Sequence, residues 1–319
     1  MLLSFIIATK ENTPVFEKTF QSILSQSNQD FEIILVLDRS IVENAKQNFG
    51  KDIFWEHENV KLVLNNSVQG IAASYNTAIS VAEGDYIKFV NEGDTLEDNF
   101  VQTIAQNLAK YPDVNIDVLE YSGKLSGMVD VGTVTYLQLD KLYALEQEPE
   151  PLAYTNLILF NKLFRTKLLQ LYNFKFQRFV RYDALFTYKV LTQTKYYLHI
   201  ATDKYIEEII IQQPDYSAFD TVNQWAHIFN YYRRMGKFKV YKDELYYAYY
   251  KSVLHIWLWT IKHYDNKVLL KKSIDFVNKK VVNKIEDFTQ ANKIFLQSKD
   301  AKFTEICKNY LKYLKDIQK

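Results

Sequence analysis

The sequence predicts an α/β fold, a mainly parallel sheet flanked by helices, followed by an α-helical C-terminal domain. Three observations carry that expectation. Continuous apolar runs alternate with helical patterns through the first two thirds of the chain, as strands buried on both faces do. Strand signals then stop near residues 218–222. At the same place the charge changes sign: residues 1–220 hold 19 Lys and Arg against 29 Asp and Glu, and residues 221–319 hold 20 against 9. The expected organisation is one domain over 1–220 and a helical domain over 221–319.

Each element has its own signal. LLSFIIA (2–8) reads as a buried first strand. Thr13 offers an N-cap with Pro14 at the first helical position, and Phe16, Phe20, Ile23 and Leu24 share one helical face. FEIILVLD (31–38) and NVKLVLNN (59–66) are two further strands. GIAASYNTAISVAEG (70–84) is a helix flanked by glycines, and DYIKFVN (85–91) is the next strand. Leu96 to Tyr111 reads as a helix, and IDVLEYS (116–122) as a strand. Residues 123–155, with the acidic EQEPEP (146–151), read as a loop or flap. Residues 156–172 and 182–194 look helical, YYLHIA and YIEEIIIQQ look like strands, and everything from about 217 onward looks helical.

Composition excludes several classes. Apolar residues make up 48% and charged residues 24%, which is globular rather than disordered. A single cysteine, Cys307, excludes a disulfide framework and fits a reducing, cytoplasmic compartment. No run of 18 apolar residues exists, and MLLSFIIATK lacks the charged start and the length of a signal peptide. The five histidines form no ligand pattern, and HExxH, Gly-x-Ser-x-Gly, Walker A and dinucleotide fingerprints are absent. The Lys- and Tyr-rich tail has helical spacing, so core packing explains its rings better than stacking on nucleic acid, and no nucleic-acid partner is expected. Its basic surface is either an ordinary solvated face or a contact for a partner subunit, an anionic acceptor or the inner face of a membrane.

In open α/β sheets ligands bind at the carboxyl ends of the strands, where Ala8, Asp38 and Asn91 fall. Three blocks in order extend that pattern: SFIIATKENTPVFEKTFQSILSQSNQDFEIILVLDRS, GIAASYNTAISVAEGDYIKFVNEGDTL and LFNKLFRTKLLQLYNFKFQRFVRYDALFTYKVL. Together, over about residues 2–213, they resemble the family 2 glycosyltransferases of the GT-A fold, the bacterial surface-polysaccharide type. The resemblance implies a nucleotide-diphospho-sugar transferase-like domain with a nucleotide-sugar donor. Asp38 matches the aspartate that accepts a hydrogen bond from the base, so a UDP-sugar is the default donor. Ala8 and Thr9 match the base and ribose cradle. Gly70 matches the glycine that starts the next helix. Leu37 stands where the family has a first aspartate, and Ser74-Tyr75-Asn76 where it has Ala-Arg-Asn, so an arginine that supports the donor is missing.

The turn Asn91-Glu92-Gly93-Asp94 stands where the family has Asp-Ser-Asp-Asp, a motif that holds a divalent metal, Mn or Mg. A divalent ion there would neutralise the leaving diphosphate, and hard cations want carboxylate oxygens. Gly93 offers none. Three readings stay open: metal held by Glu92 or Asp94; a metal-free site using Lys88, Arg181 or flap donors; or a chain that no longer catalyses. Asn91 and Glu92 are expected on the donor side in the first two.

Asp183 follows Tyr182 where the family has Glu-Asp, and resemblance makes it the general base of an inverting transfer. Alone, it would read as a helix cap. The expected function is transfer of a sugar to a hydroxyl of a glycan or glycosylated polymer. The alternative is a non-catalytic GT-A-like glycan-binding or scaffold subunit.

Overall fold

The structure is a computed structural model that describes residues 1–38, 57–65, 67, 69–122, 124–127, 136–177, 183–202, 205–209 and 218–318. Arg181 and Tyr182, and part of the expected flap, lie outside those residues.

The chain opens with β1 (Leu3–Thr9), α1 (Pro14–Leu24), β2 (Phe31–Asp38) and β3 (Val60–Asn65). The Thr13 side chain accepts the Phe16 N–H, and Phe16, Phe20 and Ile23 are buried as the spacing predicts. Then come α2 (Ile71–Val81), β4 (Tyr86–Phe89), β5 (Thr95–Leu96), α3 (Phe100–Leu108), β6 (Val118–Tyr121), β7 (Lys124–Gly127), β8 (Lys141–Ala144) and α4 (Glu150–Tyr154). β9 (Lys162–Arg165), α5 (Thr166–Leu171), α6 (Ala184–Leu191), β10 (Tyr196–Ile200) and β11 (Tyr205–Ile209) complete the strand-bearing part.

An eight-stranded sheet has the order β3-β2-β1-β4-β9-β6-β10-β8, and β5, β11 and β7 form a smaller sheet. The large sheet is mainly parallel, as expected, with two strands reversed: β9 runs antiparallel to both β4 and β6, and β8 antiparallel to β10. Residues 162–165 are thus a strand, not part of a helix over 156–172. Leu163 and Phe164 are fully buried between two strands, and that pairing outweighs the leucine-rich helical look. The helix expected from Leu96 begins only at Phe100. Leu96 pairs with Tyr205 in the small sheet, and its N–H is held by the Ser22 hydroxyl.

From Asp220 onward the described residues are helical: α7 (Asp220–Arg234), α8 (Lys242–Tyr250), a π-helical stretch (Lys251–Trp257) running into α9 (Leu258–Lys262), then α10 (Lys267–Val281), α11 (Ile285–Ala291), α12 (Lys293–Gln297), α13 (Ala301–Lys308) and α14 (Tyr310–Ile317). Trp225, Tyr232, Tyr247 and Tyr250 are buried, so these tail aromatics are core. The helices dock on the first part through specific bonds. Leu185 N–H donates to Gln224 Oε1 at 3.0 Å, the Tyr232 hydroxyl donates to Tyr188 O at 3.0 Å, and the Trp257 indole donates to Ala218 O at 2.9 Å. Among the described residues no helix is long and apolar enough to cross a membrane.

One polar latch sets the start of β4 against β1 and β2. Burial alone would raise the Glu32 carboxyl, but Lys61, the Ser4 hydroxyl and the Glu83 N–H together hold it below its ordinary range. The Gly84 N–H donates to Ser4 Oγ at 2.9 Å. A Cβ on Gly84 would lie 2.6 Å from the Leu3 carbonyl carbon and 2.7 Å from Ser4 N, both backbone atoms. Gly84→Ala is therefore expected to destabilise the fold by about 2 kcal/mol or more, as overpacking against backbone does. Urea unfolding measures it. A loss within roughly 0.5 kcal/mol, the usual surface range, would mean the turn yields.

Candidate active site

β1, β2 and β4 are parallel, so their carboxyl ends share one edge of the sheet. Thr9 pairs with Leu37, one residue before Asp38, and Val90 N–H bonds Ile6 O, which brings Asn91 level with Ala8. At that edge lies a cavity of about 490 Å³. Ala8, Thr9, Asn91 and Glu92 line it, with Ser74 and Tyr75 from α2 and with Lys10 and Glu11 from the turn after β1. Asp38 ends β2 at this edge; its side chain lies outside the described residues.

Gly70 takes a left-handed conformation, φ 81°, at the head of α2, and its carbonyl accepts the Ala73 and Ser74 N–H groups. A residue without Cβ suits that backbone. Ser74 Oγ is met by the Asn65 amide at 3.1 Å, which ties α2 to the end of β3.

The acidic turn divides its side chains. Glu92 faces the cavity, and burial pushes its carboxyl up, with Glu11 adding to the rise and the Thr9 hydroxyl and Lys10 opposing it. Asp94 is fully buried and does not line the cavity. Gly93 sits at φ 96°, with its N–H on Thr19 Oγ1 at 2.9 Å. Of the pair Glu92 and Asp94 expected as metal ligands, only Glu92 is presented. The sequence reading missed Glu11, a second carboxylate on the cavity wall. No group of three or more His, Cys, Asp or Glu that could hold a metal occurs among the described residues. Glu92 and Glu11, two carboxylates on one cavity wall beside room for phosphate and water, still form a donor set that fits a hard divalent cation.

Lys88 is unavailable as a phosphate contact. It is fully buried, and its ammonium donates to the carbonyls of Phe89 and Phe160 at 2.5 Å each. Lys162 is likewise buried, against Glu120 at 3.6 Å and the Asn156 and Ile158 carbonyls.

Asp183 lies just before α6. Its Oδ1 accepts the Phe186 N–H at 2.8 Å, so it does cap the helix. Its Oδ2 is buried with no hydrogen-bond partner among the described residues. Burial pushes this carboxyl up to about 7, against the backbone amides of Phe186 and Gln177 and the charge of Lys189. A carboxyl tuned near neutral pH is suited to taking a proton.

Rings connect Asp183 to the cavity. Tyr75, on the cavity wall, meets Phe176 with centroids 5.6 Å apart, and Phe176 stacks on Phe186 of α6 at 3.8 Å. Asn76 pins the same segment: its amide donates to Phe176 O at 3.0 Å, and its Oδ1 accepts the Phe176 N–H at 2.7 Å.

Glycosyl transferase family 2 matches this sequence over residues 4–171, more than half of the chain. The chain belongs to that family. Among curated family relatives, glycosyltransferase GlyG of Streptococcus pneumoniae is 33% identical over 110 residues, 34% of this chain and 35% of GlyG. The GalNAc(5)-diNAcBac-PP-undecaprenol beta-1,3-glucosyltransferase of Campylobacter jejuni is 31% identical over 107 residues, 33% of each chain. The matched stretch thus spans about a third of the length of these relatives. The crystal structure of S. aureus TarS 1-349 in complex with UDP-GlcNAc superposes with a TM-score of 0.67 at 15% identity, over 98% of this chain and 92% of that one. This chain's fold is GT-A-like, a mixed sheet flanked by helices, followed by a helical C-terminal region.

The Asp183 carboxyl separates a structural role from a chemical one. Its folded value of about 7 lies above the ordinary 3.8, so between those limits the folded chain holds a proton that the unfolded chain has lost. Stability from this group therefore falls as pH rises through that window. Asp183→Asn keeps a capping oxygen and is expected to remove that part of the slope. Urea unfolding near pH 5 and near pH 8 reads it. An identical gap between variant and parent at both pH values would mean that Asp183 ionises normally.

Proposed function

We propose that this family 2 chain moves a sugar from a nucleotide-sugar, with UDP as the nucleotide, to a hydroxyl of a glycan or glycosylated polymer. The observation that carries the reading is the cavity at the carboxyl edge of β1 and β4, walled by Ala8, Thr9, Asn91 and Glu92. The UDP-GlcNAc complex of TarS, a chain of the same fold, supports a uridine donor for it. Residues 1–220 would form the transferase domain and 221–319 the helical domain.

Each residue has a proposed part. Asp38 accepts a hydrogen bond from the base. Ala8 and Thr9 pack against base and ribose. Gly70 starts the helix that closes the cavity. Asn91 and Glu92 face the diphosphate. Asp183 takes the proton from the acceptor hydroxyl as that oxygen attacks the anomeric carbon. The new carbon–oxygen bond forms on the face opposite the leaving group. The bond to the diphosphate oxygen breaks, its electron pair leaves with the nucleoside diphosphate, and configuration inverts. Glu92 and Glu11 are the residues that would hold a divalent cation. Such a cation would neutralise charge on the leaving diphosphate. A Mn2+ complex of a mannosyltransferase from Pyrobaculum calidifontis, TM-score 0.51, supports including one.

Two measurements test this. Calorimetric titration with UDP, with and without manganese, should give binding that weakens about tenfold or more in Asp38→Ala, as loss of a hydrogen bond to a charged group does. Manganese dependence should shrink in Glu92→Gln. Binding of neither UDP nor another nucleoside diphosphate would favour the scaffold reading instead. Asp183→Asn should lower kcat by about 100-fold or more, the usual worth of general-base catalysis, while leaving UDP affinity unchanged. Full activity in that variant would remove Asp183 from the mechanism.

A further inference from the structure

A second cavity of about 490 Å³ lies between α6 and α7. Lys189 from α6 and Arg233 and Arg234 from the last turn of α7 line it, with His227, Asn230 and Gln177. No carboxylate belongs to that lining. Among the described residues none of the three cations is within ion-pair distance of an acid. Burial and the neighbouring Arg234 charge hold the Lys189 ammonium below its ordinary value, with Asp183 opposing.

The cationic heads are placed by neutral groups. Tyr231 carries Lys189 Nζ and Arg234 Cζ each 5.7 Å from its ring centroid. Arg233 lies 4.4 Å over Phe238 and donates from Nη1 to Asn230 Oδ1 at 2.9 Å. The two helices cannot easily drift apart, because Gln224 accepts the Leu185 N–H and the Tyr232 hydroxyl bonds Tyr188 O. Cations near helix carboxyl ends are favourable in themselves. That preference explains each charge singly. It does not explain why two helices turn three of them onto one hollow with no ion pair to an acid among the described residues.

We propose that this hollow binds a phosphate group carried by the acceptor. Two guanidinium forks and an ammonium suit an oxyanion with several acceptor oxygens. The position fits an acceptor rather than the donor. Gln177, on the wall, has its backbone amide close enough to Asp183 to oppose the rise of that carboxyl, and Leu185 follows Asp183 by two residues, whereas the donor-side cavity lies beyond the Tyr75–Phe176 contact. Asp183 itself lines neither cavity, and an acceptor phosphate held here would sit beside the helix that Asp183 caps. This inference rests on Asp183 serving the acceptor side, and it names the acceptor class as a phosphate-bearing glycan or polymer.

The test titrates the full chain with three probes at low salt: inorganic phosphate, a phosphodiester-linked glycerol oligomer, and a single-stranded DNA oligomer of equal charge. UDP binding is followed in parallel. The glycerol phosphate oligomer should bind more tightly than phosphate or DNA. Its affinity should fall about tenfold or more in Arg233→Gln/Arg234→Gln and separately in Lys189→Gln, the loss expected when a charge-assisted fork is removed. UDP affinity should not change in either variant, and retained UDP binding shows that both are folded. Equal binding of DNA, binding of free phosphate alone, or oligomer binding unaffected by the variants would each overturn the assignment. Loss of UDP binding by the parent chain alongside intact oligomer binding would defeat the donor reading and leave this one standing.

Discussion

The stack of Phe176 on Phe186, centroids 3.8 Å apart, is the contact through which the two halves of the candidate site are set against each other. Phe176 also meets Tyr75 of α2 and Phe89 of β4, and Phe89 meets Phe186 edge-on. One aromatic cluster therefore touches the cavity wall, the strand that leads into the acidic turn, and the helix behind Asp183. Aromatic pairs have preferred offsets and angles, and together they cost little freedom to immobilise. A cluster of this kind transmits position better than a loop does. The Asn76 side chain, bonded to both backbone groups of Phe176, removes the remaining freedom. The site is consequently less a property of its polar residues than of the rings that hold them.

Two buried carboxylates in this fold, Glu120 and Asp183, differ in how their oxygens are partnered. Glu120 is held below its ordinary range despite full burial, by Lys162, His199, Tyr197 and Thr155. Glu120 and Lys162 are both answered by hydrogen bonds in that network, which is what low dielectric demands. Asp183 is almost as buried, yet one oxygen caps α6 and the other has no hydrogen-bond partner among the described residues. The two readings of Asp183 available from sequence, cap and base, are thus not exclusive. The cap bond fixes the carboxylate on Oδ1 and leaves Oδ2 without a hydrogen bond among the described residues. The free-energy penalty appears as a raised pKa, which is also the property a base near neutral pH needs.

The strands and helices up to Tyr86 were legible because their signals are local: an N-cap at Thr13, Pro14 behind it, and apolar runs of strand length. Lys162–Arg165 was not legible, because its state is decided by β4 and β6, elements distant in sequence. The leucines on either side of it carry a helical pattern that only tertiary pairing overrides. Leu96 failed for the same reason, being claimed by β11. At the site, Ala8 and Asn91 were readable from strand ends alone, and Thr9 and Glu92 through the family resemblance. Glu11 was not, since nothing in Lys10-Glu11-Asn12 marks the turn after β1 as a cavity wall. The burial of Lys88 was concealed by its type: a lysine in a strand reads as solvent-facing, and here it is spent on two backbone carbonyls.

The turn that departs from the family pattern has a coherent physical form. Gly93 is left-handed at φ 96°, and its N–H is fastened to Thr19 in α1. An aspartate at 93 would have to adopt the same backbone, which residues with a Cβ adopt reluctantly. The absent carboxylate and the turn's geometry are therefore one change. With position 93 silent and Asp94 turned inward, negative charge reaches the cavity from Glu92 and, across the first strand's end, from Glu11. Coordination that elsewhere in such folds would come from one motif would here be divided between two loops. A cation shared that way would depend on how the loops approach each other. The turn after β4 is tied to α1 through Thr19, and the turn after β1 runs directly into α1 at its Thr13 cap. The latter turn carries Glu11, which adds to the rise that burial gives Glu92, so the approach of the two loops also bears on the charge that a cation would have to neutralise.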